Sequence, residues 1–197
     1  MHEWSAQVRF HPWVGSKYSN SPHKVLLLGE SHYDVAEPHE TYTQDIIQEW
    51  CINRNQPGRF FTGIIWVLYG SNEDLEDKFN WVAFYNYVQK FMPAPRIHPS
   101  STDYEEAQKP FLEVLGKLLP DFVVSFGDAM TFHFPNTSNQ NNWIKDTVDK
   151  THDVWVGEFN IDNRSIPVYS LPHPSGNKFN MRVYYQYFLE HGLALSL

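Results

Sequence analysis

Val25-Leu26-Leu27-Leu28-Gly29-Glu30-Ser31-His32-Tyr33 is an apolar run that stops at a glycine and is followed at once by a carboxylate, a hydroxyl, an imidazole and a phenol. The run has the length and composition of a strand buried on both faces. In an open α/β sheet, ligands bind in the loops beyond the carboxyl ends of the strands. The stretch therefore predicts a fold class and, in the same breath, the place where chemistry would sit.

Working outward, Lys24–Leu28 reads as the first strand, preceded by an arm over residues 1–23 that packs on the body. Tyr42–Asn53 has helical spacing at Ile46, Ile47 and Trp50, and Gln56-Pro57-Gly58 ends it. Phe60–Tyr69 is apolar almost all round, which predicts a buried helix. Trp81–Val88, aromatic and β-branched, reads as a strand or a helix-to-strand junction, and Phe91–Ser101, with Pro93, Pro95 and Pro99, as an extended loop. A helix over Tyr104–Leu119, capped by Ser101 or Thr102 with Glu105 in its first turn, puts Ala107, Phe111, Val114, Leu115 and Leu118 on one face. Pro120 ends it, and Asp121–Phe126 is a short apolar strand closed by Gly127.

Residues 135–150, polar and rich in Asn, suggest a surface loop or a short exposed helix. Val154–Phe159 and Ser165–Leu171 look like two strands joined by a turn at Asp162-Asn163. Pro172-His173-Pro174-Ser175-Gly176 is a rigid loop before a last helix, Asn177–His191. Strands alternating with helices imply an α/β sandwich with a mainly parallel sheet, formed as one domain over 1–197. Right-handed crossovers bring the loops after Leu28, Phe126 and Leu171 to one edge, where Glu30, His32 and His173 can converge.

Composition narrows the classes of function. The net charge of −8 argues against bulk, non-specific affinity for DNA, though Lys178 with Arg182, or Arg54 with Arg59, could make a local basic rim. The single cysteine, Cys51, excludes a disulfide framework or a four-cysteine cluster within the chain and reads as a small buried hydrophobe. No basic region followed by an apolar stretch opens the sequence, and no apolar run approaches the ~20 residues of a membrane span, so a cytoplasmic protein is expected. His98, His133 and His152 show no metal-binding spacing, and no metal or cofactor is expected.

Three groups carry chemistry. Gly29-Glu30-Ser31 suggests a nucleophile elbow with His173 as base, but that turn needs a second glycine two residues after the serine, where Tyr33 stands. His173, fixed between Pro172 and Pro174, suits either a structural hydrogen bond or a role in a site. Asn86, inside Phe84-Tyr85-Asn86-Tyr87, must have its amide satisfied if buried, and an amide offers the donors and the acceptor that match a nucleobase edge.

At these residues the sequence resembles the uracil-DNA glycosylase superfamily. Gly29-Glu30-Ser31-His32-Tyr33 is similar to its first motif and His173-Pro174-Ser175 to its second. Gly58-Arg59-Phe60-Phe61-Thr62-Gly63 is similar to the segment that presents a base-stacking phenylalanine in the iron–sulfur branch, and Asn86 falls where the family has its base-reading asparagine. Lys109–Glu113, Leu119–Asp121 and Val124–Gly127 follow that branch's helix-strand-glycine pattern, so the likeness covers about residues 24–190. The branch's four cysteines are missing, so no cluster is expected, and Ser31 stands where the family's best-known motif has a catalytic aspartate.

The resemblance implies a three-layer α/β/α sandwich around a mainly parallel four-stranded sheet. It implies excision of a deaminated base, uracil or similar, from DNA. Flipping a base out of a duplex costs a few kcal/mol, and stacking on Phe61 or Phe60 would return about 1–3 kcal/mol of it. Asn86 would read the base, His173 would donate to a base oxygen as negative charge develops, and Glu30 would orient a water, with His32 or Ser31 assisting. Tyr33 would gate the pocket. Ser175, Gly176, Asn177, Lys178 and Phe179 would lie beside the DNA, with Phe179 as a wedge and a helix N-terminus near Asn177 for a phosphate. The other readings are a non-catalytic binder of a free nucleobase, nucleotide or nucleic acid on the same fold, and a serine hydrolase using Ser31.

Overall fold

The computed structural model describes residues 3–33, 37–94, 97–135 and 143–196. In chain order the strands are β1 (Trp13–Val14), β2 (Val25–Gly29), β3 (His32–Tyr33), β4 (Val82–Asn86), β5 (Phe91–Met92), β6 (Phe122–Phe126), β7 (Ile144–Thr147), β8 (Asp153–Ile161) and β9 (Arg164–Leu171). The helices are α1 (Tyr42–Ile46), which continues as a π-helical stretch over Ile47–Asn53, then α2 (Gly58–Tyr69), α3 (Leu75–Asn80), α4 (Ser101–Leu118), α5 (Asp128–Thr131) and α6 (Met181–Glu190).

The main sheet is seven-stranded and mixed, in the order β1-β4-β2-β6-β9-β8-β7. This corrects the expectation of a mainly parallel four-stranded sheet. Its centre, β4-β2-β6-β9, is parallel throughout. Both flanks are antiparallel, for two local reasons. Asp162 and Asn163 both take positive φ (48° and 64°), the geometry of a two-residue hairpin whose twist matches its strands, so β8 turns straight back as β9. On the other side the arm contributes β1, which pairs antiparallel with β4 at Trp13↔Phe84 and Val14↔Ala83. Part of the polar stretch read as a loop or helix is the edge strand β7, paired to β8; residues 136–142 of it lie outside the described ones.

Alternation along the central strands supplies two cores. Val25 and Leu27 face α2, α3, α6 and the π-helical stretch, joined by Phe84, Val124, Phe126 and Leu171. Leu26 and Leu28 face α4, joined by Tyr85, Val123, Val168, Phe111 and Leu115. All four β2 side chains are fully buried, and each contributes about 1.5–3 kcal/mol of apolar burial. Cys51 is buried as expected, with its thiol pushed up to about 12 by burial.

Element ends shift for readable reasons. α4 is capped by Ser100, not Ser101 or Thr102: its side chain accepts from the Asp103 N–H while Asp103 takes the Ser100 N–H at 2.8 Å. α6 starts at Met181 with Asn180 as its cap, so no helix N-terminus lies at Asn177. α3, with Leu75 and Phe79 in the core, was not expected at all; its apolar residues are too few to show periodicity. No helix among the described residues is long and apolar enough to cross a membrane.

Candidate functional site

The parallel centre of the sheet sends the loops after β2, β4, β6 and β9 to one edge. Backbone hydrogen bonds stitch them beyond the strand ends: Tyr87 N–H to Gly29 O at 2.9 Å, Val88 N–H to Glu30 O at 2.8 Å, and Gly127 N–H to Leu171 O at 2.9 Å. The residues that sequence reasoning singled out at 29–33, 86 and 173 therefore lie on one edge of the molecule, on opposite faces of the sheet.

On the α2 face, Gly29 and Asn86 are direct neighbours in register. A Cβ at Gly29 would lie 2.2 Å from Asn86 Oδ1, so glycine is required there by close approach. Asn86 is buried, and its Nδ2 donates to His32 at 3.0 Å. His32 is itself buried, with Nε2 at 2.8 Å from Thr43 Oγ1 and the rings of Phe10 and Tyr42 edge-on to it. His32 thus sits behind Asn86 and holds its amide. Tyr33, on the two-stranded ribbon β3–β5, is 58% exposed.

Phe60, in the first turn of α2, is the centre of an aromatic cluster. It packs edge-on to Phe61, Phe84 and Phe126, and His173 stacks on it with centroids 5.2 Å apart and planes at 27°. Phe61 turns away into the core against Phe79 and Phe84, so of the two rings only Phe60 adjoins His173.

The loop geometry fixes the His173 tautomer. The Ser175 N–H donates to Nδ1 at 3.2 Å and Ser175 Oγ lies 2.7 Å from the same atom. Nδ1 is the acceptor, so the neutral ring carries its proton on Nε2. Burial of the ring's inner side holds its pKa below the ordinary histidine value, with Glu30 pulling it up and His98 pushing it down. His173 bonds Ser175 rather than Ser31, so the nucleophile reading of Ser31 gains no base from this bond.

On the α4 face, Glu30 continues the Leu26, Leu28 alternation. Its Oε1 accepts from the Tyr104 hydroxyl at 2.6 Å and its Oε2 lies 3.2 Å from His98 Nδ1. Tyr104 is buried and stacks on His133 at 4.2 Å, nearly parallel. Sequence reasoning missed Tyr104 and His98 as partners of Glu30. The alternation after Leu28 signalled only that Glu30 faces the helix side of β2, not which helix residue meets it.

The loop after His173 is folded partly inward. Pro174 and Phe179 close on α2, where a Cβ at Gly63 would lie 2.9 Å from Pro174 Cβ and 3.1 Å from Phe179 Cε1. Phe179 also packs against Phe126 and Tyr184. Phe179 is half-buried, and the wedge role expected of it would require it to leave this packing. Ser175, Asn177 and Lys178 are exposed and Gly176 half-buried, with Gly176 N–H closing a turn on His173 O at 2.8 Å. Lys178 sits near Asp128, whose carboxyl is raised by burial and by Asp153 against the pull of Lys178. Among the described residues, no three His, Cys, Asp or Glu side chains are grouped to hold a metal. No protein-family model and no curated protein sequence matches this chain.

Proposed function

We propose that this chain is a base-excising N-glycosyl hydrolase with a uracil-DNA-glycosylase-like fold, acting on a deaminated base in DNA. One observation carries the reading: His173 accepts the Ser175 N–H at Nδ1, which leaves Nε2–H as the donor, and the ring is stacked on Phe60 and within the field of Glu30. A neutral imidazole suits a leaving base whose oxygen gains negative charge, because it donates a hydrogen bond without first neutralising its partner. Phe60 supplies an apolar wall beside His173, and Asn86, at the end of the neighbouring strand, supplies the amide that reads the base. The glycosidic bond breaks as its electron pair passes to the base and the sugar gains positive charge; the Glu30 carboxylate, coupled to His173 from the other face of the sheet, offsets that charge and takes the proton of the water that adds to the sugar carbon. This reading includes the cytoplasmic location expected from the sequence.

A second reading has its own support. Asn86 spends an N–H on His32, and both Glu30 oxygens have partners. A set of polar groups so engaged suits a binder of a nucleobase, nucleotide or nucleic acid that does not cleave it.

The test uses oligonucleotides carrying uracil, hypoxanthine or xanthine, single- and double-stranded, assayed for abasic sites with the protein in excess. Excision that falls at least about 100-fold in His173→Ala and Glu30→Ala supports the first reading. Binding of these oligonucleotides or of the free bases without any abasic product supports the second. Excision unaffected by either substitution refutes the site.

A further inference from the structure

We propose that Tyr104 and His98 are positioning residues that clamp the Glu30 carboxylate, one on each oxygen. The geometry divides the work. Tyr104 is buried at the N-terminal end of α4, its ring face fixed on His133 and its hydroxyl 2.6 Å from Oε1. His98 comes from the loop before α4, is largely exposed, and meets Oε2 at 3.2 Å. A glutamate on a loop has three rotatable bonds, and two partners in different directions select one rotamer and one plane for the carboxylate.

Tyr104 is a durable donor. Burial first, then the hydrogen bond and charge of Glu30, push its phenol far above the ordinary tyrosine value, which favours the protonated, donating form. The Glu30 backbone is held separately by the Val88 N–H at 2.8 Å. Main chain and side chain are therefore both restrained, as a group that must present a fixed lone pair to a water requires. The hydrogen bonds themselves stand apart from the excision reading; their kinetic consequence rests on it.

Two measurements separate the two. In proton NMR, the Tyr104 hydroxyl, assigned by its loss in Tyr104→Phe, gives a slowly exchanging downfield resonance that disappears in Glu30→Ala. A Tyr104 hydroxyl signal that is unchanged in Glu30→Ala overturns the clamp whether or not the protein excises any base. In the excision assay, Tyr104→Phe keeps the stack on His133 and deletes only the O–H. Its kcat falls about 10- to 100-fold while KM stays within about twofold. His98→Leu lowers kcat about fivefold, and His98→Gln, whose amide still donates, recovers most of it. Wild-type kcat in Tyr104→Phe and His98→Leu, with Glu30→Ala inactive, overturns the positioning role and leaves the excision reading standing.

Discussion

Pro174 rests on Gly63 so closely that a methyl group at position 63 would lie 2.9 Å from Pro174 Cβ. This contact docks the His173 loop onto α2 one turn from Phe60, and it makes a helix glycine part of the site's construction. Gly63→Ala gains about 1 kcal/mol in helix propensity and loses about 1–3 kcal/mol to overpacking. The expected outcome is a small net loss in urea unfolding and a disproportionate loss of excision or base binding, because the His173 ring is displaced. Full activity in Gly63→Ala would show that the loop position is not critical.

Adjacent phenylalanines should separate in function. Phe60 carries His173 on its face, whereas Phe61 packs on Phe79 and Phe84. Phe60→Leu and Phe61→Leu each cost about 1–2 kcal/mol, measured by urea unfolding. Only Phe60→Leu is expected to reduce excision, by about 10-fold, since a leucine offers no ring face for the imidazole. Equal losses of activity in the two variants would refute the division.

Gly29 and Asn86 should behave as a coupled pair. A Cβ at 29 would meet Asn86 Oδ1 at 2.2 Å and Phe84 Cζ at 3.1 Å. Gly29→Ala drives the amide off His32 and is expected to cost about 2–4 kcal/mol, from overpacking plus a broken buried hydrogen bond. Adding Asn86→Ala removes the obstruction, so the double variant is more stable than the sum of the single losses. A thermal-melt cycle checks this, and simple additivity would count against the contact.

The contact between Ser5 of the arm and Glu113 of α4 should weaken in acid. Burial raises the Glu113 carboxyl, but hydrogen bonds from Lys117 and from the Ser5 hydroxyl and N–H outweigh it and bring its pKa down to about 2. The unfolded chain then binds more protons than the folded one between the ordinary value of 4.5 and about 2. The stabilisation is complete above about 4.5 and is lost as pH falls toward 2. Glu113→Gln is expected to lower stability at neutral pH by about 1–2 kcal/mol and to flatten the acid limb of stability against pH. An acid limb as steep as wild type would place the titration elsewhere.

Much of the fold was legible because it is written in local patterns. Val25–Leu28 reads as a strand since four consecutive buried side chains need a two-sided core, and the Asp162-Asn163 turn reads from residues that tolerate positive φ. The consequence of that turn, an antiparallel flank, was equally available in its two-residue length. β1 was not: Trp13 and Val14 are strand only because β4 offers an edge. Of the site, Glu30 and His173 were visible as chemical types placed after strands, and Asn86 as an amide among strand aromatics.

Residue chemistry and order along the chain determined the parallel centre of this protein and the edge at which its reactive groups collect. Tertiary structure alone decided their company: Tyr104 and His98 on Glu30, His32 behind Asn86, Phe60 rather than Phe61 under His173, and Phe179 inside instead of out. The reason is physical. Strand and helix periods fix which face a side chain takes within one element. Hydrogen bonds at 2.6–3.2 Å between residues 54 to 74 positions apart depend on how whole elements dock.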